Sequence, residues 1–171
     1  MAKKLLLVLC CIITQQSFAN PKAEDFGDYF QITIPTYAFG MAMNESDHEG
    51  FRQFFRSFAA IELTIGGFKT FVKEWRPDHS DRKSFPSWHT ASAFFGASFV
   101  HRRYGLNRAV IPYLMAIFTG YSRVDAKRHY VHDVIAGAAI SEFCTWAFVK
   151  RRNVHMSIGE NGIEMALKKE F

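Results

Sequence analysis

Apolar positions fall into five blocks divided by short polar connections, and their spacing is helical throughout. Asp28 to Met43 is apolar with one interruption, Pro35, and predicts a first helix kinked at that proline. Asn44 to Gly50 is a polar connection. Within it Ser46 and Glu49 fit a capping box, so a second helix should begin near Asp47. From Phe51 the run FRQFFRSFAAIELTIGGFKTFVKEW sets Phe51, Phe54, Phe55 and Phe58 on one side and Arg52 and Arg56 on another. That aromatic stripe reads as core rather than as a lipid-facing surface. Pro77 closes the segment, because the residue before a proline avoids the helical region. Asp78 to Phe85 is a charged loop, and Pro86-Ser87 leads into WHTASAFFGASFVHRRY, a third helix stopped by Gly105. Asn107 is placed to cap a fourth helix through Ala109 to Tyr121, with Pro112 tolerated near its first turn. Val134 to Val149 makes the fifth. No strand-like alternation of useful length and no internal repeat interrupts this pattern. It predicts an all-α, single-domain helical bundle whose active site is formed by helix ends and loops at one end.

The two ends of the chain read differently. Lys3 and Lys4 precede an apolar run, Leu5 to Ile13, and then a polar stretch ending in Ser17-Phe18-Ala19. That layout is a secretory signal peptide cut after Ala19, and the run is too short to span a bilayer permanently. An uncleaved anchor is the alternative, while a lipid-modified Cys10 is disfavoured by the bulk of Leu9 before it. The organisation expected is residues 1–19 as signal, 20–155 as the folded domain, and 156–171 as a polar tail. Within the tail, Ile163 to Leu167 forms a weak amphipathic turn, either a short docking helix or disordered. The location implied is an exported one, periplasmic or secreted.

Composition narrows the class. Of 171 residues, 49% are hydrophobic and 18 are Phe, enough for a sizeable core. A mean hydropathy of -0.07 is too polar for a chain made mostly of membrane spans. Glu62 and Glu142 also interrupt its apolar runs, which argues against an integral membrane enzyme. The net charge of +5, or +3 once Lys3 and Lys4 are removed, suits anionic ligands or a membrane surface. Cys10 and Cys11 leave with the signal, so the remaining Cys144 cannot form an internal disulfide.

Three separated pieces carry candidate chemistry. In the first, Lys69 and Arg76 stand about two helical turns apart, on one face if the helix persists, with Lys73 a rival for Lys69. The second is Pro86-Ser87-Trp88-His89 at a helix start, where free N–H groups and the positive dipole end attract an anion. Ser87 adds a hydroxyl, and His89 could hand a proton to a departing oxygen. The third is Ser122 to Asp133. There Arg123 offers a planar fork for phosphate oxygens, and His129 lies four residues before Asp133. A carboxylate on one ring nitrogen fixes the tautomer and leaves the other as nucleophile or base.

The order Lys-x6-Arg-Pro, Pro-Ser-x-His, Ser-Arg-x5-His-x3-Asp resembles the tripartite signature of the type 2 phosphatidic acid phosphatase superfamily. That superfamily also holds bacterial class A acid phosphatases and vanadium haloperoxidases. The resemblance spans roughly residues 63 to 139. It implies that His129 is the nucleophile that becomes a phosphohistidine, that Asp133 orients it, and that His89 protonates the leaving oxygen. Lys69, Arg76, Ser87 and Arg123 would hold the phosphate, with the Trp88 backbone beside them. No metal and no cofactor are implied. One position departs from the pattern: the family usually has glycine where this chain has Trp88. Its ring either points away and shapes access for the leaving group, or plugs the pocket.

The function expected is therefore a metal-independent phosphatase acting on phosphate monoesters, lipid phosphates or isoprenoid pyrophosphates. A phosphorylated small molecule or lipid is the expected partner, peripheral membrane contact suits the charge, and nothing points to nucleic acid. A phosphate-binding protein without turnover is the alternative from another class, disfavoured because binding needs neither His129 nor His89. A haloperoxidase-like enzyme is disfavoured by length.

Overall fold

The computed structural model describes residues 23–152 together with two strands at 154–159 and 162–167. The signal reading for residues 1–19 lies outside the described residues. Five helices make the bundle: α1 (Ala23–Asn44), α2 (His48–Phe71), α3 (Trp88–Tyr104), α4 (Leu106–Asp125) and α5 (Val131–Phe148). The architecture is all-α, as the pattern predicts. The tail departs from expectation, since β1 (Val154–Gly159) and β2 (Gly162–Leu167) pair as an antiparallel hairpin in register from Val154↔Leu167 to Gly159↔Gly162.

The bundle is built around α3, which packs against α1, α4 and α5. Its small residues Ala91, Ala93, Ala97 and Ser98 are fully buried and let neighbouring helices come close, while Phe95 and Phe99 fill the centre. From α2, Phe54 meets both rings at centroid distances of 4.8 and 5.2 Å. Each fully buried phenylalanine stabilises the fold by about 1.5–3 kcal/mol. The other phenylalanines of the α2 stripe divide. Phe58 packs on the core, whereas Phe51 and Phe55 gather around Phe39 and stay exposed. Only part of that stripe is core.

Pro35 does not end α1. Its ring removes the N–H that would serve the Gln31 carbonyl, and Ser92 of α3 donates its hydroxyl to that oxygen at 2.8 Å. The helix thus continues through the proline, and the missing bond becomes a tie between helices.

One cap is made differently from the sequence expectation, and two boundaries move. Asp47 caps α2, accepting from the Gly50 N–H at 2.9 Å, while Glu49 turns to Arg52 and Gln53, so the Ser46 box does not form. Burial alone would raise the Asp47 carboxyl, but Arg103, Gly50 N–H and Tyr104 hold it below the usual carboxylate range. At the other end α2 stops at Phe71, well before Pro77. The backbone turns extended at Val72, and Glu74 pairs with Lys83 across the loop. Lys69 and Arg76 therefore do not share a helix face. Finally, α4 begins at Leu106 directly after Gly105 (φ 99°), without an Asn107 cap. It runs to Asp125 and carries Ser122 and Arg123 in its closing turns.

Candidate active site

Helix ends and two loops converge at one end of the bundle. The last turn of α4 supplies Arg123, the loop after it His129, the first turn of α5 Asp133, and the start of α3 Ser87, Trp88 and His89. The loop after α2 brings Arg76. Backbone bonds fix these pieces together. The Arg123 carbonyl accepts from both Arg128 N–H (2.9 Å) and His129 N–H (3.1 Å), and the Asp133 carbonyl accepts from Ser87 N–H at 3.0 Å. A Cβ at Gly137 would lie 2.4 Å from the Ser87 carbonyl, so only glycine lets α5 approach the α3 start this closely.

His129 and Asp133 do meet, although not along one helix, because His129 stands in the loop before α5. Nδ1 of His129 lies 3.4 Å from Oδ2 of Asp133, and both side chains are almost completely buried. A carboxylate only accepts, so the ring proton sits on Nδ1 and the Nε2 lone pair is left for chemistry. Burial pushes the His129 imidazole below its ordinary value, with Arg76 and Lys69 acting the same way and Asp133 opposing. The ring is neutral at physiological pH, the state a nucleophile needs. Burial would raise Asp133, yet bonds from His129, Ser84 and the Tyr130 N–H keep its carboxyl below the usual range. Ser84, fully buried and donating to Oδ2, was invisible as a site residue in the sequence.

Arg76 and Lys69 act on this pair, and Arg123 acts on His89. Arg76 places Nη1 3.2 Å from Nε2 of His129 and pairs through Nε with Asp81 at 2.9 Å. Lys69 donates to the Lys83 carbonyl at 2.7 Å, and burial together with Arg76 lowers its ammonium to about 8. Its rival Lys73 is exposed and folds back onto the Lys69 carbonyl. Arg123 is 2% exposed and donates Nη1 to Asp28 of α1 at 2.8 Å.

At the α3 start, Ser87 is fully buried and shares its hydroxyl with Thr90, 3.0 Å away. His89 reaches Asp28 too, Nε2 to Oδ1 at 3.1 Å. Burial and Arg123 push His89 down to about 4, with Asp28 opposing. The Trp88 ring meets the His89 ring edge-on, centroids 6.2 Å apart. It packs on the core and donates its indole N–H to Glu62 of α2 at 2.8 Å. Asp28 is a second residue that sequence reasoning missed. It lies 95 positions from Arg123 and reads as an ordinary acidic residue near a helix start.

One group among the described residues could hold a cation: Glu74, His132 and Asp133 offer ligand atoms within 4.8 Å of one another. Here His132 Nε2 sits 2.8 Å from Glu74 Oε1 and 3.3 Å from Asp133 Oδ1, a chain of polar contacts on the outer side of Asp133. Glu74 and His132 are 58 residues apart, which hid the grouping from the sequence.

These elements and their spacing match the PAP2 superfamily over residues 5–156. The chain belongs to the PAP2 superfamily. Curated relatives are named as phosphatases. A lipid A 1-phosphatase of Porphyromonas gingivalis is 44% identical over 68 residues, covering 38% of this chain and 15% of that one. A lipid A 4'-phosphatase of Helicobacter pylori is 27% identical over 139 residues, 75% of this chain and 70% of that one. The chain thus spans a small part of the first relative and about two thirds of the second. Among solved structures, Aquifex aeolicus LpxE superposes with a TM-score of 0.55 at 24% identity, covering 70% of this chain and 83% of that one, a likeness of PAP2 fold.

Proposed function

We propose that this PAP2 protein is a lipid phosphate phosphatase that works through a phosphohistidine on His129. The observation that carries the reading is the His129 ring, held by buried Asp133 through Nδ1 with Nε2 turned toward the Arg76 guanidinium. A phosphate drawn in by Arg76, Lys69 and Arg123 would meet that lone pair. The three cations and the N–H groups of the α3 start offset charge developing on the phosphoryl oxygens. His89 then protonates the departing oxygen, and water releases phosphate from His129. Charge neutralisation comes from side chains and helix dipole, so turnover proceeds without a divalent ion.

The lipid assignment rests on two supports. The named relatives act on lipid A. In addition, α4 shows Leu106, Val110, Leu114, Ile117 and Tyr121 exposed along one face, and Phe26 and Tyr29 are exposed at the start of α1 beside the site. Contiguous apolar surface of this kind marks contact with lipid or protein. The contact proposed is peripheral, and among the described residues no helix is long and apolar enough to cross a membrane. Export by residues 1–19, with a domain from 20 to 155, belongs to the same proposal. The family match begins at residue 5, and N-terminal sequencing of the protein from membranes and periplasm would locate any cleavage.

The test is a substrate panel with purified protein in excess chelator, comparing an aryl phosphate, a lipid A phosphate and a glycerophospholipid phosphate. Turnover should survive chelation, favour a lipid phosphate, and be blocked by vanadate, which mimics the pentacoordinate transition state. Loss on chelation with recovery on adding a divalent metal would remove the histidine mechanism. Retained turnover in His129→Ala would do the same.

A further inference from the structure

Asp28 joins two groups that the phosphatase reading keeps separate. Its Oδ1 lies 2.8 Å from Arg123 Nη1 and 3.1 Å from His89 Nε2, so one carboxylate oxygen bridges an anion-holding guanidinium and the proton donor. This contact is built into the fold. A Cβ at Gly27 would fall 2.0 Å from Ser122 Oγ and 2.9 Å from Arg123 Nη2, so the residue before Asp28 must be glycine for α1 to come this near. The same end of α1 is strapped down twice more. Arg123 Nη2 donates to the Glu24 carbonyl, and Arg128 Nε donates to Glu24 Oε1 at 2.9 Å.

Resting on the phosphatase reading, we infer that Asp28 is a positioning residue for the leaving-group acid: it aligns the His89 ring and holds it protonated once substrate draws Arg123 away. The groups facing His89 come from four places. Asp28 of α1 favours its charged form, while Arg123 of α4, Arg76 of the loop after α2 and His129 of the loop before α5 oppose it. Without Asp28 the surroundings are those of three cationic or ionisable nitrogen groups, and the imidazolium would be a poor resident. A bound phosphate dianion is the stronger partner for Arg123, since it offers two oxygens to the guanidinium fork. The Asp28 carboxylate is then left to His89 alone. As the bond from phosphorus to the leaving oxygen breaks and the bond to His129 Nε2 forms, that oxygen takes the His89 proton. His89 is left neutral beside Asp28, and solvent returns the proton before the next cycle.

The experiment compares wild type, Asp28→Asn, Asp28→Glu and His89→Ala on two substrates, a nitrophenyl phosphate whose leaving group needs no proton and an alkyl phosphate whose leaving group does. Asp28→Asn should lose roughly tenfold or more in kcat on the alkyl phosphate and less than about threefold on the nitrophenyl ester. The alkaline fall of its pH–rate profile, where His89 loses its proton, should move to lower pH, and Asp28→Glu should restore part of the loss. Thermal melting of each variant reports folding independently. Equal losses on both substrates with an unmoved profile would reduce Asp28 to a structural strap. A gain in turnover for Asp28→Asn would make it an occupant that blocks the site, and would also overturn the inference. If wild type is inactive on both substrates, the phosphatase reading itself has failed. If His89→Ala loses turnover of the alkyl phosphate and spares the nitrophenyl ester while Asp28→Asn matches wild type, only the role of Asp28 is lost.

Discussion

Replacing Trp88 probes the position at which this chain leaves its family's pattern, and the structure sets the sizes of the effects. The indole is half-buried against the core and donates to Glu62 at 2.8 Å. Trp88→Phe keeps most of the apolar contact and deletes the bond to a carboxylate, a loss of about 1.5–3 kcal/mol. With a urea slope near 2 kcal/mol/M for a domain of this size, the midpoint should fall by about 1 M. Trp88→Gly loses the ring as well. Removing roughly 100 Å² of buried indole surface adds about 2.5 kcal/mol, taking the total to about 4–5.5 kcal/mol. Since domains are stable by about 5–15 kcal/mol, the glycine variant should be close to unfolding at ambient temperature. Because the indole N–H is taken up by Glu62 and phenylalanine keeps a ring edge against His89, turnover of a small phosphomonoester by folded Trp88→Phe should stay within about tenfold of wild type, or 1.4 kcal/mol in barrier. Urea melts followed by fluorescence, with nitrophenyl phosphate turnover on the same samples, measure both. The Glu62→Gln variant and the double mutant then test the pair, whose effects should not add. An unchanged midpoint in Trp88→Phe would refute the packing argument. A small-substrate gain far above tenfold in either variant would mean the ring plugs the pocket.

Other perturbations follow from the same geometry. His129→Ala should abolish turnover while leaving phosphate affinity largely intact, and wild type quenched with labelled substrate should yield an acid-labile phosphoprotein that the variant lacks. Lys69, lowered to about 8 by burial and Arg76, is charged below that value and neutral above it. The KM for a phosphate dianion should therefore rise between pH 7 and 9, and Lys69→Arg should flatten that rise. Arg103→Met leaves the Asp47 carboxylate, 5% exposed and capping α2, without its cation, and should destabilise by about 3–5 kcal/mol in a denaturant titration without altering the KM of the variant that remains folded.

Much of this was legible in the residues. Gly105 does stop α3, Ser87 does cap it, and the small residues of that helix announce its burial on all sides. The pieces bearing Lys69-Arg76, Ser87-His89 and Arg123-His129-Asp133 were legible as motifs because each is contiguous. What the pattern could not give was how the loops between them run. Lys69 and Arg76 seemed to share a helix because periodicity continues past Phe71, yet pairing of Glu74 with Lys83 offers the backbone an extended alternative. His129 and Asp133 seemed to lie along one helix for the same reason, although the carboxylate reaches the ring from the first turn of α5. The tail showed too little alternation to read as a hairpin. Asp28, Ser84 and the Glu62–Trp88 bond depend on contacts across 26 to 95 residues, which no local pattern records.

One carboxylate carries more than the orientation of a ring. Oδ2 of Asp133 also accepts from the Tyr130 N–H at 2.9 Å and so closes the opening turn of α5, while its backbone carbonyl holds Ser87. Fraying of that turn and misalignment of the His129 ring are consequently the same event. Warming should disarm the enzyme through a local opening at Tyr130–Asp133, before the aromatic centre of the bundle melts. Inactivation would then precede loss of helical signal, and the Tyr130 amide would exchange with solvent faster than amides deep in α3. Vanadate, by tying His129 to its surroundings, should slow that exchange and bring the two temperatures together.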